Sequence, residues 1–445
     1  MPANILNLPG YTVLRVEETE HDYHVKAETS SPAGHCQSCG ARDPVGYGRS
    51  EVLIHDLAMH GKRIGIYVDA RRLRCKGCGK TFMETLPAVN PNRAMTERLV
   101  AWIGPQALKR TFTSIAEEIG VTEGTIRNVF SDYVNDLERT VRFETPKWMG
   151  IDEIHIIKRP RAVISNLQNN TAVNLLPDRY KKTVSAYLAS LPGKSGVRCV
   201  AIDMWEPYRD AVREALPEAI VVVDKFHVQR MGNQGLDEFR RSLGRAATAD
   251  EKRRKAAGVK KDLALFRKRE RDLTVQEQFL LSGWLNNIPE LAEAYRLKES
   301  YYDIYEAASK EDAAARYDAW AKSITPEFRL AFGPILTAWG NWQPNILAYF
   351  DHRITNAFTE SLNGLIRVMN RLGRGYSFEV LRARILFAKG THKVQGRPQF
   401  RRQVWPMLHG DAIGYGYMAA ETGGEEVNYG VDINKLVRMI EAGQI

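Results

Sequence analysis

Cysteine is scarce in this chain, five in 445 residues, and that scarcity excludes a small secreted scaffold held together by many disulfides. No run of eighteen apolar residues occurs, so no membrane span is expected. A signal peptide, an internal repeat and a long low-complexity linker are also missing, which leads us to expect a cytoplasmic protein. Apolar residues make up 44%, and the length is enough for three or more folded units with real cores. Lys and Arg number 63 against 53 Asp and Glu, a formal charge of +10. A basic excess favours contact with nucleic-acid phosphates and carries no sequence preference of its own.

Four of the five cysteines fall into two knuckles, HCQSCG at 35–40 and RLRCKGCG at 72–79. Each Cys-x-x-Cys presents two thiolates to one ion, and four soft ligands in tetrahedral array select Zn²⁺. Cys36, Cys39, Cys75 and Cys78 therefore read as a structural zinc ribbon, with Gly40 and Gly79 relaxing the backbone after each knuckle. The spacer leaves room for a strand pair at 51–56 and 63–70. His35 adjoins a ligand without being expected to serve as one, and Cys199 reads as a small buried apolar residue.

Residues 111–134, TFTSIAEEIGVTEGTIRNVFSDYV, have a helix-turn-helix pattern. Ala116 is small where two helices approach, Gly120 permits the turn, Thr122 caps the second helix, and Ile126 and Val129 return to the core. Thr125, Arg127 and Asn128 then face a DNA major groove. A helix from 96 to 110 is expected to complete a three-helix unit.

The centre of the chain carries MGIDEIH at 149–155, CVAIDMWEPY at 199–208 and AIVVVDKFHV at 219–228. These are short Ile/Val-rich runs, each holding an aspartate at or near its end. Later, RITNAFTESLNGLI at 353–366 has helical spacing and carries Glu360. Around them the periodicity gives three strands, a helix, a strand, a helix and a strand, the order of a ribonuclease H-like sheet. Aspartates fixed by strands and joined by a carboxylate from a helix suit a divalent-metal phosphoryl-transfer site, because hard Mg²⁺ takes oxygen ligands and two ions can serve the attacking and leaving oxygens.

The words GIDE, AIDMWEPY, VVVDKFHV and TNAFTESLN, with the zinc ribbon and helix-turn-helix, resemble the ISL-three family of bacterial insertion-sequence transposases, members of the DDE group. The resemblance implies Asp152 as first carboxylate and Glu360 as last. Strand order favours Asp203 as the second, making Asp152, Asp203 and Glu360 the Mg²⁺ (or Mn²⁺) ligands for two ions. Asp224 sits in the more conspicuous word DKFH and remains the alternative; if Asp203 is the ligand, Asp224 and His227 support the site. A helix-capping role for Asp224 is the structural alternative.

From about 229 to 343 helical patterns dominate, indicating an all-helical insertion before the Glu360 helix. Its basic segment includes Arg253, Arg254 and Lys255, a DNA-contacting or merely solvated face. Trp339 and Trp342 read first as core residues, with stacking on an unpaired base as the alternative. The expected fold is thus multidomain α+β: zinc ribbon (1–90), helix-turn-helix (91–146), ribonuclease H-like domain in two parts (147–228 and 344–400) around the insertion (229–343), and a tail (401–445). The resemblance implies binding to double-stranded DNA at terminal inverted repeats, then Mg²⁺-dependent cleavage and joining to target DNA, by a homodimer or larger assembly at the nucleoid. Other readings are a DNA-binding regulator with an inactive body, and a structure-specific nuclease.

Overall fold

The structure, a computed structural model, describes residues 6–30, 34–36, 38–42, 44–246, 262–373, 375–388, 392–395 and 427–444. Arg253, Arg254 and Lys255 lie outside these. The chain separates into two compact units, the first running to Arg142 with short pieces from near Phe387 and after Arg438, the second built from Phe143 onward.

The first unit opens on β1 (Tyr11–Glu18), β2 (Asp22–Thr29), β3 (Val45–Met59), β4 (Lys62–Arg74) and β5 (Thr81–Met83), in the order β1-β2-β4-β3 with β5 on β4. The expected strand pair is the inner part of the long β3–β4 hairpin. Alternation on β4 buries Ile64, Ile66, Val68 and Ala70 on one face, against Val25, Ala27 and Ile54. Strand β2 joins β4 in parallel, a pairing the sequence had not indicated. Three helices follow: α1 (Glu97–Ala107), α2 (Phe112–Ile119) and α3 (Glu123–Thr140). The buried Asp56 of β3 accepts from the Thr96 hydroxyl at 2.6 Å and from the Arg98 guanidinium, which fixes the start of α1 on the sheet. One partner is charged and the carboxylate is fully enclosed, so losing Arg98 would strand a buried charge.

The second unit is built on a sheet of order β10-β9-β6-β7-β8-β12-β11. Its ribonuclease H-like part is β6 (Trp148–Ile156), β7 (Arg159–Asn166) and β8 (Thr171–Leu175) in antiparallel succession, then α4 (Lys181–Ala189), β9 (Cys199–Ile202), α5 (Glu206–Ala215) and β10 (Ile220–Val223). Strand β9 runs parallel to β6, and β10 parallel to β9. The runs CVAI and IVVV are almost wholly buried, as parallel strands covered on both faces must be. Chain from the tail and from just before it extends the sheet: β12 (Val427–Asp432) pairs with β8 and β11 (His392–Gln395) with β12.

After β10, α6 (Lys225–Ala246) begins an insertion whose described residues are helical or irregular, with no strand, up to the Glu360 helix (Ala357–Leu372). Its interior is aromatic, including Tyr301, Trp320, Phe328, Phe332 and Trp339. Lys298 is fully buried there, donating to the Phe266 and Lys268 carbonyls at 3.1 and 2.7 Å and pairing with Glu299 at 2.6 Å. These partners offset the cost of enclosing its charge. The 24-residue helix Arg329–His352 packs on α6 and β10, and the Asn345 amide donates to the Val221 carbonyl at 3.1 Å.

Candidate functional site

Strand register gathers the aspartates. Gly150 of β6 stands opposite Ala201 of β9, and Ile202 of β9 opposite Val223 of β10. Continuing each register, Asp152, Asp203 and Asp224 form a row across three adjacent parallel strands, the last two just beyond the strand ends. Neighbouring strands lie roughly 4.8 Å apart, so each carboxylate feels the next. Glu360 reaches the row from its helix: ligand atoms of Asp224, His227 and Glu360 lie within 4.8 Å of one another. Asp152 and Asp224 are buried, Asp203 and His227 half-buried, and Glu360 exposed, so the site opens to solvent on the glutamate side.

The carboxylates differ in how they are held. Asp224 has one partner at each oxygen: Oδ1 accepts from the Asn356 amide at 2.9 Å and Oδ2 contacts His227 Nδ1 at 3.1 Å. Asp152 accepts from the Glu153 amide at Oδ1 and from Asn363 Nδ2 at Oδ2, both at 2.8 Å, which leaves each oxygen a further lone pair. Asp203 has a buried Oδ1 with no hydrogen-bond partner. Burial, offset in part by the Glu153 amide, pushes Asp152 up to about 6, with the charges of Glu360 and Asp224 adding to it. Burial first, and then Asp152, pushes Asp203 up to about 7. His227 is raised, chiefly by its bond to Asp224. Two neighbouring carboxylates that resist ionisation, one with an orphaned buried oxygen, are a donor set that a divalent cation fits, because it removes the repulsion and satisfies the orphan.

Two residues that the sequence reading left without a role hold this site together. Asn356, fully buried, donates Nδ2 to the Ile151 carbonyl at 3.1 Å and accepts from the Thr359 hydroxyl at 2.6 Å; Ser165 in turn donates to Thr359 at 2.6 Å. Asn363, one turn past Glu360, touches Asp152 and the Glu153 carbonyl. The only sequence signal for them was their spacing, since Asn356, Thr359, Glu360 and Asn363 fall on one helical face. Gly150 makes the close approach possible, for no side chain stands between β6 and this network.

The stacking alternative for Trp339 and Trp342 is corrected by the structure. Trp339 is fully buried, stacked on Tyr317 at 4.0 Å and 7°, with Nε1 3.3 Å from the Tyr301 hydroxyl. Trp342 is 4% exposed and has the Arg209 guanidinium 4.3 Å over its ring. Neither ring has a face open to a base; both belong to the helical core. Trp339→Ala is therefore expected to cost roughly 3–5 kcal/mol in a denaturant titration, leaving the DNA affinity of folded protein unchanged. The exposed aromatics beside the acidic row are Trp205, under Arg179 at 4.4 Å, and Phe226.

In the first unit the four knuckle thiols lie within 4.8 Å of one another, with Cys36 and Cys78 sulfurs 3.7 Å apart and Cys39 and Cys75 3.5 Å apart. A tetrahedron of Zn–S bonds near 2.3 Å has edges of about 3.8 Å, so the cluster suits zinc. Gly40 and Gly79 take positive φ after each knuckle, and the Cys78 amide donates to Cys75 Sγ at 3.4 Å. Cys75→Ser should abolish zinc retention and lower the melting temperature, measured by metal analysis and calorimetry. The helix-turn-helix has Gly120 at φ 83° and Thr122 Oγ1 capping the Thr125 amide, while Ile126 and Val129 are buried. Arg127 and Asn128 are exposed on α3; Thr125 is half-buried and hydrogen-bonds Thr122.

An acidic row on such a sheet suits enzymes that break and rejoin phosphodiesters, and the zinc ribbon and helix-turn-helix ahead of it in the chain narrow the class to transposases. Family comparison agrees. A transposase profile matches residues 149–385, more than half the chain; a helix-turn-helix domain of transposase family ISL3 matches 84–134; and a zinc-finger of transposases IS204, IS1001, IS1096 and IS1165 matches 32–78. The chain belongs to the ISL3 family of insertion-sequence transposases. It is similar to the transposase for insertion sequence element IS1001 of Bordetella parapertussis, 22% identical over 82% of this chain and 92% of the relative. It is also similar to the transposase for IS1557 of Mycobacterium tuberculosis, 24% identical over 77% and 82%. Among the described residues no helix is long and apolar enough to cross a membrane.

Proposed function

We propose that the protein binds the terminal inverted repeats of its own element, cleaves there with Mg²⁺, and joins the freed ends to target DNA. The observation that carries the reading is the orphaned Oδ1 of Asp203 beside Asp152, which in turn feels the charge of Glu360. In this reading Asp152, Asp203 and Glu360 hold the metal, and Asp224 with His227 supports them. Ligand atoms of Asp224, His227 and Glu360 also lie within 4.8 Å of one another; we weigh the unpartnered Asp203 Oδ1 above that proximity, because each Asp224 oxygen already has a partner.

When bound, the metal activates the attacking oxygen and stabilises the leaving one. Asn363 and the Glu153 amide orient Asp152. Through the Asn356 amide, Asp224 fixes the start of the Glu360 helix and so the position of Glu360. His227, made more basic by Asp224, offers positive charge to a phosphate oxygen. Water attacks first and releases a 3′-hydroxyl; that hydroxyl then attacks a target phosphodiester, forming one P–O bond as another breaks, with no protein–DNA covalent link. The domain limits expected from sequence serve as the working division, with Thr125, Arg127 and Asn128 at the base edges. Incubating a plasmid bearing the element's ends with Mg²⁺ tests the whole. Joined products support the proposal, products that stop at cuts mean a nuclease, and bound but intact DNA means a regulator.

A further inference from the structure

At the knuckle end of the β3–β4 hairpin the first unit carries a strip of unneutralised charge. Arg72 and Arg74, two apart on β4 and so on one face, are exposed, as are Lys76 and Lys80 beyond them. None of the four has an ion-pair partner among the described residues. Several other basic side chains of this unit are paired, Arg15 with Glu17, Arg63 with Asp22, Arg98 with Asp56 and Arg127 with Glu123, and the exposed Lys26, Arg42 and Lys109, which have no ion pair among the described residues, do not form a strip on one strand. Clustering unpaired cations costs self-repulsion, and a polyanion would relieve it.

An aromatic ring sits within the strip. The β3–β4 register shifts between Gly46 and Arg49, a bulge that leaves Tyr47 without a cross-strand partner. Gly48 takes φ 123° there, a conformation other residues avoid. Tyr47 is 53% exposed, and the guanidinium carbons of Arg72 and Arg74 both lie 5.7 Å from its ring centroid. The ring thereby biases two long side chains toward one side of the hairpin, which lowers the entropy lost when they meet a ligand.

We propose that this strip, Tyr47, Arg72, Arg74, Lys76 and Lys80, is a phosphate-backbone clamp for duplex DNA, separate from the base-reading face of α3. It rests on the proposed DNA binding and adds a second, sequence-independent contact surface. Duplex DNA is favoured over an acidic protein because the same compact unit carries the helix-turn-helix.

The test uses the full-length zinc-loaded protein and fluorescence anisotropy at several salt concentrations, with an element-end duplex and an unrelated duplex of equal length. Arg72→Ala/Arg74→Ala is expected to weaken both duplexes alike, by about tenfold near physiological salt, and to reduce the slope of log K against log salt by about 2. Arg15→Ala should change neither. Lys76→Glu/Lys80→Glu repeats the test at positions outside the strand should the arginine pair prove necessary for folding. An unchanged slope in both double variants, or a loss confined to the element-end duplex, overturns the proposal. If wild type binds no duplex the functional reading itself fails, whereas a protein that binds with the expected slopes and never cuts leaves the clamp standing.

Discussion

Asp203→Asn is expected to abolish strand cleavage, by a factor on the order of 10³ or more, while element-end binding persists and the metal-free protein becomes more stable. The opposite signs share one cause. Asp203 is placed where its charge is useful only with a cation beside it, since its Oδ1 is enclosed without a donor and Asp152 repels it. Its folded-state pKa is raised from 3.8 to about 7. A raised carboxylate lends stability below its unfolded pKa and loses it as pH rises through the folded value. Metal-free wild type should therefore weaken between about pH 4 and 7 relative to Asp203→Asn, and divalent cation should remove the difference. Thermal melts of both proteins with and without Mg²⁺ across that range check this. Asp224→Asn should behave differently: it can still accept from Asn356, it loses its charge contact with His227, and cleavage falls less. If Asp224→Asn alone is inert, the two aspartates exchange roles.

Gly150→Ala is expected to be as damaging as a ligand substitution, with no chemical group removed. A Cβ at this position would sit no more than 2.6 Å from Asn356 Oδ1, Ser165 Oγ and Thr359 Oγ1. All three atoms are buried and committed to one another, so none can swing away cheaply. Either the Glu360 helix lifts off β6 or the network breaks, and a buried network left half-satisfied costs more than its bonds contribute. A destabilisation of roughly 3 kcal/mol is expected, read by denaturant titration. Cleavage should be lost even at temperatures where the protein stays folded, because Glu360 and the Asn363 bond to Asp152 move with the helix. Full activity in folded Gly150→Ala would mean that the helix is not docked through this network.

The parts of the fold legible in sequence were those that local physics writes locally. Alternation and β-branched runs located β6 to β10, the Cys-x-x-Cys spacing marked the zinc ligands, and Thr122 with Gly120 marked the helix-turn-helix. The gathering of the aspartates and Glu360 was legible, because strand order already places the three aspartates on neighbouring strands. Long-range satisfaction was not legible. Nothing near Asn363 says that its amide meets Asp152, and nothing near Asp203 says that its oxygen is alone. The tryptophans were open between core and base stacking for a related reason: only packing decides between a buried face and a contact surface, and here it decides for the core. The strand Val427–Asp432 was missed because its partner β8 lies some 250 residues away in sequence.

The helical insertion between β10 and the Glu360 helix also has a consequence for the order in which a ribosome makes the molecule. The knuckles, the helix-turn-helix and all three aspartates are synthesised before the insertion begins, and Glu360, Asn356 and Asn363 only after it ends. Until then Asp224 has no amide from Asn356 and Asp152 none from Asn363. At roughly 5–20 residues per second the gap lasts on the order of ten seconds. A nascent chain thus carries its zinc ribbon and helix-turn-helix well before it can hold a complete acidic centre, and any product truncated within the insertion keeps the former without ever acquiring the latter.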